Sequence, residues 1–339
     1  MADLKTTYMG IPLRNPLIVG ASPLTANIDS IKQIEEMGAG ALVTRSLFEE
    51  AIQLERFEFD ESLHREEGRS AEMVTVFPRM EHGGPKEHLM WVKKAKEAVK
   101  IPVIASLNAV NRDTWLDYAK QLEDTGVDGL ECNLFASPSD PLEEGAAVEL
   151  KQMELIEELK RTLTIPISVK LSYFYSNPLN AIHRMDKAGA SAFVLFNRLF
   201  EPDIDAEQET RTLPFNLSHK TDYRLPLRYA GLLGGTLEGD ICSSTGISTG
   251  EDIAKMILAG ATTVQAVSAL LRHKIPHIQT MLKDFEAWMN ARGYTSLSEF
   301  RGKLSRKNSS DPWMYTRGQY VKLLMNPEGF LSKPSIRKD

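Results

Sequence analysis

Cysteine is nearly missing: the 339-residue chain has two, Cys132 and Cys242. Two thiols build neither a disulfide framework nor a four-cysteine zinc site, and they leave no ligand set here for an iron–sulfur cluster. Long apolar runs are absent as well. No stretch approaches the ~18 residues a membrane span needs, and the opening residues, MADLKTTYMG, lack the apolar core of a secretory signal. Blocks of basic residues are also lacking. With 40 Lys and Arg against 46 Asp and Glu, the net charge is −6, which argues against nucleic acid as the main partner. No GxGxxG follows the first strand-like run, which weakens an open dinucleotide-binding sheet. What is present is ordinary: 42% hydrophobic and 25% charged residues, enough for a large globular core. These absences predict a cytoplasmic protein acting on small molecules, with no membrane, nucleic-acid or metal partner.

Eight short apolar runs punctuate the chain: Leu17–Ser22, Ala41–Ser46, Val103–Asn108, Gly129–Leu134, Ile167–Ser172, Ala192–Asn197, Asp240–Thr245 and Thr263–Ser268. Continuous runs of that length suit strands buried on both faces of a parallel sheet. Helical patterns lie between them, over Asn27–Met37, Lys86–Lys100, Asp113–Thr125, Gly145–Thr162, Pro178–Ala188 and Thr249–Leu258. Their ends carry the usual stop and start residues, glycine after the last turn and Ser, Thr, Asp or Asn before the first. One joint recurs four times, in EMGAGALV, DTGVDGLE, KAGASAFV and LAGATTVQ. Eight strand–helix alternations predict an α/β fold, a (β/α)8 TIM barrel. A doubly wound open sheet is the alternative. Residues Leu4–Asn15 predict an N-terminal hairpin plugging the barrel floor. The long connections Leu47–Pro85 and Arg198–Asp222 follow strand ends, so they are inserted loops on the C-terminal face and candidate lids. The expected domain limits are 1–293 for the barrel and 294–339 for a C-terminal helical extension with a basic tail.

In such a barrel, polar residues at strand C-terminal ends point into the site. They are Ser22, Arg45, Ser46, Asn108, Asn133, Lys170, Asn197, the turn Ser243–Gly246 and Ser268. Asparagine offers both donor and acceptor, which suits a flat heterocycle of alternating C=O and N–H groups. Lys170 falls in the middle of a buried strand, where an ammonium needs an anionic partner or a changed protonation state. Either a Schiff base with a carbonyl substrate or stabilisation of negative charge on a cofactor answers that need. The loops after the last two strands, around Thr245–Gly246 and Val267–Ser268, are where this fold often seats a phosphate. The loop NLFASPSD after the fourth strand places Ser137 beside a proline, as a turn former or a base with an activating partner.

The segments YMGIPLRNPLIVGAS, GAGALVTRS, GLECNLFASP, PISVKLS, LFNRLFEPDID, LSHKTDYRLPLRYA and STGISTGEDIAKMILAGATTVQAVSALL together resemble the dihydroorotate dehydrogenase family of FMN-dependent barrels. The resemblance covers residues 4–290 and is nearest to a bacterial dihydroorotate dehydrogenase-like branch carrying FNR-x-x-x-PD, here starting at Phe196. It implies one FMN per barrel. Ala21, Ser22, Arg45, Ser46 and Phe196 would lie along the flavin, and Asn108 and Asn133 would bond the flavin or the substrate. Lys170 would sit near flavin N1 and O2, where reduction puts negative charge. Ser218, Thr245, Gly246, Val267 and Ser268 would hold the phosphate, and Arg45, Asn133 and Asn197 would meet substrate. The implied reaction oxidises dihydroorotate to orotate in pyrimidine biosynthesis, with Ser137 as base at C5 and hydride leaving C6. Family members often form a homodimer.

Several positions depart from the family pattern. The active-site loop is one residue longer, so alignment on its proline gives Ser137 as base, whereas alignment on Asn133 gives Ala136. The family's lysine after the second strand is Arg45, which keeps charge but not geometry. PRMEHGGPKEH replaces an asparagine-rich loop. These departures leave three other readings open: an FMN oxidoreductase for a different dihydro-heterocycle, a flavin-free aldolase or lyase using Lys170, and a silent barrel that binds a ligand.

Overall fold

The computed structural model describes residues 2–53, 84–134, 141–198, 202–212, 217–311, 315 and 317–325. The chain opens with an antiparallel hairpin, β1 (Thr6–Tyr8) and β2 (Ile11–Leu13), turned through Met9 and Gly10, both at positive φ. It continues through β3 (Leu17–Val19), α1 (Ile28–Glu36), β4 (Ala41–Val43), β5 (Leu47–Phe48), α2 (Pro85–Ala98), β6 (Val103–Asn108), α3 (Arg112–Glu123) and β7 (Gly129–Leu134). Next come α4 (Gly145–Thr162), β8 (Ile167–Leu171), α5 (Pro178–Lys187), β9 (Ala192–Leu195), the hairpin β10 (Asp203–Asp205) and β11 (Thr210–Thr212), and α6 (Arg224–Leu233). The last elements are β12 (Asp240–Ser244), α7 (Gly250–Ala259), β13 (Thr263–Ala266), α8 (Ser268–His273), α9 (His277–Ala291) and α10 (Arg317–Met325).

Strands β3, β4, β6, β7, β8, β9, β12 and β13 pair in parallel in that order, and β13 returns to β3 through Val264↔Leu17 and Gln265↔Ile18. The sheet is therefore closed, with helices outside it: a (β/α)8 barrel. An open sheet is ruled out by that last pairing. Side chains alternate along each strand. Leu17, Leu42, Val103, Leu130, Val169, Phe193, Ile241 and Val264 belong to the layer shared with the helices. Their neighbours Ile18, Ala41, Val43, Ile104, Ala192, Val194 and Cys242 point into the barrel and meet Tyr8, Met9 and Leu13 of the hairpin. The hairpin thus fills the floor, as the sequence predicts. Higher in the barrel the inward positions become polar, and this change of chemistry places the site.

The glycines of the four repeated joints, Gly38, Gly126, Gly189 and Gly260, all have positive φ, the conformation that lets a helix end and the chain turn at once into a strand. Asn27 caps α1 by accepting from the Ser30 amide, and Thr249 with Asp252 forms a capping box on α7. Several elements were not foreseen: helix α6 between β9 and β12, helices α8 and α9 after β13, strand β5, and the hairpin β10–β11 inside the connection expected to be only a loop. Most barrel strands are also shorter than the apolar runs, because residues such as Ser22, Arg45 and Asn197 leave the ladder to form the rim.

Residues after Gly293 pack on the barrel. Phe300 sits 4.8 Å from Tyr294 and 5.2 Å from Trp288, ring centre to ring centre. The Gly302 and Leu304 amides donate to the carbonyls of Ile257 and Leu258 at the end of α7. Arg301 donates to the Thr6 hydroxyl at 2.6 Å, and the Asp3 amide donates to Thr295. This segment therefore fastens the floor hairpin. The expected basic tail lies outside the described residues. No described helix is long and apolar enough to cross a membrane.

Candidate functional site

A cavity of about 340 Å³ opens at the C-terminal ends of the barrel strands, within the ~300–1,000 Å³ range of small-molecule sites. Ala21, Ser22, Arg45, Ser46, Lys170, Asn197, Ser218, Thr245, Gly246, Val267 and Ser268 all line it. Eleven positions named from the sequence, drawn from six separate strand ends and one connection, thus share one space. Leu217, Ile247 and Leu271 supply apolar wall between them.

One end of the cavity is a closed hydrogen-bond network. The Ser218 hydroxyl accepts from the Gly246 amide at 3.3 Å, and the Ser218 amide donates to the Ser268 hydroxyl at 3.0 Å. The loops after β12 and β13 are thereby joined through a single serine. Arg272 holds that serine from behind, donating to the Ser218 carbonyl at 2.5 Å and the Leu217 carbonyl at 3.3 Å. The turn itself is tightly wound: Thr245 (φ 77°) and Gly246 (φ 79°) are both left-handed. A Cβ at position 246 would lie 2.3 Å from the Tyr223 amide nitrogen, so only glycine fits. The Thr245 hydroxyl donates to the Phe196 carbonyl at 3.0 Å.

Lys170 forms the floor. Its side chain is 10% exposed, and Nζ lies 3.3 Å from Glu131 Oε1 and 3.3 Å from Gln265 Oε1. Gln265 Nε2 donates in turn to the other Glu131 oxygen at 2.5 Å. The anionic partner the lysine requires is thus supplied by the protein, from β7. Neither Glu131 nor Gln265 figured among the sequence candidates. The available signal was register: Glu131 is two residues before Asn133 on β7, so it points the same way, and Asn133 pairs with Lys170 across the sheet.

The other end holds Arg45, Ser46, Asn133 and Asn197. Ser46 and Ser106 share a 2.6 Å hydroxyl contact, and Asn197 donates to Asn133 Oδ1 at 3.0 Å. Asn133 is therefore one hydrogen bond behind the cavity-lining Asn197. Arg45 has no carboxylate partner among the described residues. Its charge acts on His88 of α2, whose imidazole is pushed down to about 4, first by burial and then by the Arg45 charge. His88 is accordingly neutral and leaves that charge uncompensated.

Two predicted residues sit elsewhere. Asn108 lines a neighbouring cavity with Trp115, Leu134 and Gln152. The Phe196 ring is buried and packs edge-on against Tyr229 at 4.9 Å, so it meets the cavity through its carbonyl's bond to Thr245 rather than through its face. Ser137 lies outside the described residues.

The donor set suits an elongated small molecule with a polar end. Backbone amide and hydroxyl donors close one end, apolar side walls flank the middle, and a cation stands on the floor. The Ser22 hydroxyl is buried in the wall without a hydrogen-bond partner, and a buried polar atom left so calls for one from a bound molecule. Among the described residues no group of His, Cys, Asp and Glu is placed to hold a metal.

No family model matches the chain. Full-length relatives do. It is 28% identical over 314 residues to the catalytic subunit of dihydroorotate dehydrogenase B (NAD(+)) from Thermoplasma volcanium, covering 89% of this chain and 98% of that one. A putative dihydroorotate dehydrogenase A (fumarate) from Aeropyrum pernix is 26% identical over 90% of this chain and 98% of its own. The chloroplastic dihydropyrimidine dehydrogenase (NADP(+)) of Arabidopsis thaliana is 22% identical over 88% of this chain and 76% of its own. Shared length, a closed barrel and a cavity built from the positions that carry the resemblance agree: over nearly its whole length the chain is similar to dihydroorotate and dihydropyrimidine dehydrogenases.

Proposed function

We propose that this chain is an FMN-dependent oxidoreductase that converts dihydroorotate to orotate. The coarser statement is that it is an oxidoreductase acting on a CH–CH bond of a dihydro-heterocycle, as its relatives' names indicate of them. One observation carries the FMN reading: a paired lysine on the floor of a cavity whose far end is closed by Ser218, Thr245, Gly246 and Ser268. Ser218, Gly246 and Ser268 would hold the phosphate, Ala21, Ser22 and Val267 would line the ring, and Lys170 would face its electron-rich edge. Bound FMN supplies the two-electron acceptor. The protein's part is to fix a positive charge where negative charge develops, which needs no reorganisation during the reaction.

Substrate choice falls to the opposite end. Dihydroorotate carries a carboxylate that dihydrouracil lacks, and Arg45 offers the cavity an uncompensated guanidinium for it. Asn197, held by Asn133, presents amide groups to the ring. Ser137 would take the C5 proton. Geometry disfavours an aldolase reading: a Schiff base needs a free amine, and Lys170 Nζ lies 3.3 Å from Glu131 Oε1 and 3.3 Å from Gln265 Oε1. For protein partners, the relatives' names as subunits favour one chain of a larger enzyme over a homodimer, and the mass of the native species distinguishes them.

The test is spectroscopic. The purified chain, alone or supplied with FMN, is expected to show flavin absorption that dihydroorotate bleaches without oxygen. A colourless protein that takes up no FMN overturns the cofactor. Flavin bleached by dihydrouracil and untouched by dihydroorotate overturns the substrate.

A further inference from the structure

The barrel interior beneath Lys170 contains more ionisable chemistry than a scaffold requires. Glu131 is 1% exposed, and its two oxygens are divided between Lys170 and Gln265. An ammonium has three donors. Two of those on Lys170 are turned down, onto Glu131 and Gln265, which leaves one for the cavity the lysine lines. The other titratable groups interacting with this cluster are Tyr8, Cys242 and Cys132, the last a thiol raised first by burial and then by the Glu131 charge, with Asp240 beyond Tyr8. Burial holds the Tyr8 phenol well above its usual range, and pushes the Cys242 thiol up to about 12. Both are therefore neutral. Asp240 is spent at the floor, accepting from the Met9 amide at 2.8 Å and the Thr262 hydroxyl at 2.8 Å. Among the described residues, Glu131 is the one carboxylate against the lysine.

We propose that Glu131, oriented by Gln265, is the positioning residue that keeps Lys170 charged and aimed at the cavity. A buried ammonium stripped of its counter-charge releases its proton more readily, since burial disfavours the charged form. Gln265 has a separate task. By donating to one carboxylate oxygen it leaves the other to the lysine, and its own carbonyl takes a second ammonium proton. The triad therefore fixes direction as well as charge. The consequence for electron transfer rests on the FMN reading given above, but the pairing itself is testable without flavin.

Lys170 is trapped with a small aldehyde and borohydride at neutral pH, in the full-length chain freed of any bound flavin, and the adduct is quantified by peptide mass. Wild type is expected to label at least tenfold more slowly than Glu131→Gln, and Glu131→Asp is expected to return the slow rate. Equal labelling of wild type and Glu131→Gln overturns the proposal. So does wild-type Lys170 that labels as fast as an exposed lysine of the same chain, which requires no variant to fold. In the flavin-loaded protein, Glu131→Gln is expected to move the flavin midpoint potential while Glu131→Asp leaves it near wild type. A potential equal in all three overturns the assigned role even if labelling differs. If the chain binds no FMN and the labelling contrast still appears, the cofactor reading fails and the pairing stands.

Discussion

The two ends of the cavity are built on opposite plans. At the β12–β13 end, Ser218, Gly246 and Ser268 bond one another and Arg272 backs them, so the polar atoms are already oriented by their own hydrogen bonds. At the β4–β7 end the described residues include Arg45 with no carboxylate partner, just before the long connection Leu47–Pro85. A self-satisfied end built from backbone atoms suits a part of a ligand that never changes, such as a phosphate. An end built from side chains at strand ends suits the part that differs between substrates. Anchoring and selection are thus separated along one cavity, as expected where a rigid barrel carries variable loops.

Substitutions at each end sharpen or break that division. The largest effect is expected from Gly246→Ala. A Cβ there meets the Tyr223 backbone, and left-handed strain adds about 1–3 kcal/mol, so FMN affinity measured by fluorescence titration should fall on the order of a hundredfold. Unchanged affinity would mean that this end does not anchor. Ser137→Ala should slow flavin reduction by dihydroorotate by about 10²-fold or more with flavin content intact; stopped-flow traces at the wild-type rate would reduce Ser137 to a turn former. Arg45→Ala should raise the dihydroorotate concentration needed for half-maximal bleaching by roughly tenfold, the ~1.5 kcal/mol of a charged hydrogen bond, again without loss of FMN. Simultaneous loss of FMN and substrate would erase the distinction between the ends.

The smallest effect concerns stability. His88 titrates near 4 in the folded chain and near ~6.5 when unfolded. The unfolded state therefore binds the proton first as pH falls. Stability should decline between about pH 6.5 and pH 4, by at most ~3 kcal/mol, and His88→Gln should flatten that part of a denaturant-midpoint profile. A slope unchanged in the variant would place its origin elsewhere.

The barrel was legible because its signals are local and repeated. A glycine at positive φ after each of four helices, followed by a buried run, marks the same joint every time, and the hairpin at Leu4–Asn15 was readable from its own turn. Helix α6 was missed because it follows a connection without a strong start signal; Tyr223 caps it with no side-chain bond. Phe196 was placed along the ligand by the family resemblance alone, yet its ring packs edge-on against Tyr229.

The amino-acid order determined which residues reach the rim, since strand period and strand end fix that locally. It determined too that Lys170 needs an anion, since a lysine inside a buried strand is untenable alone. Closure of the sheet alone decided which anion. Lys170 and Gln265 are 95 residues apart and Gln265 and Glu131 134 apart, and no local rule joins them. They meet because a closed cylinder brings every inward side chain at one height to a common axis, where unlike charges and amides must satisfy one another.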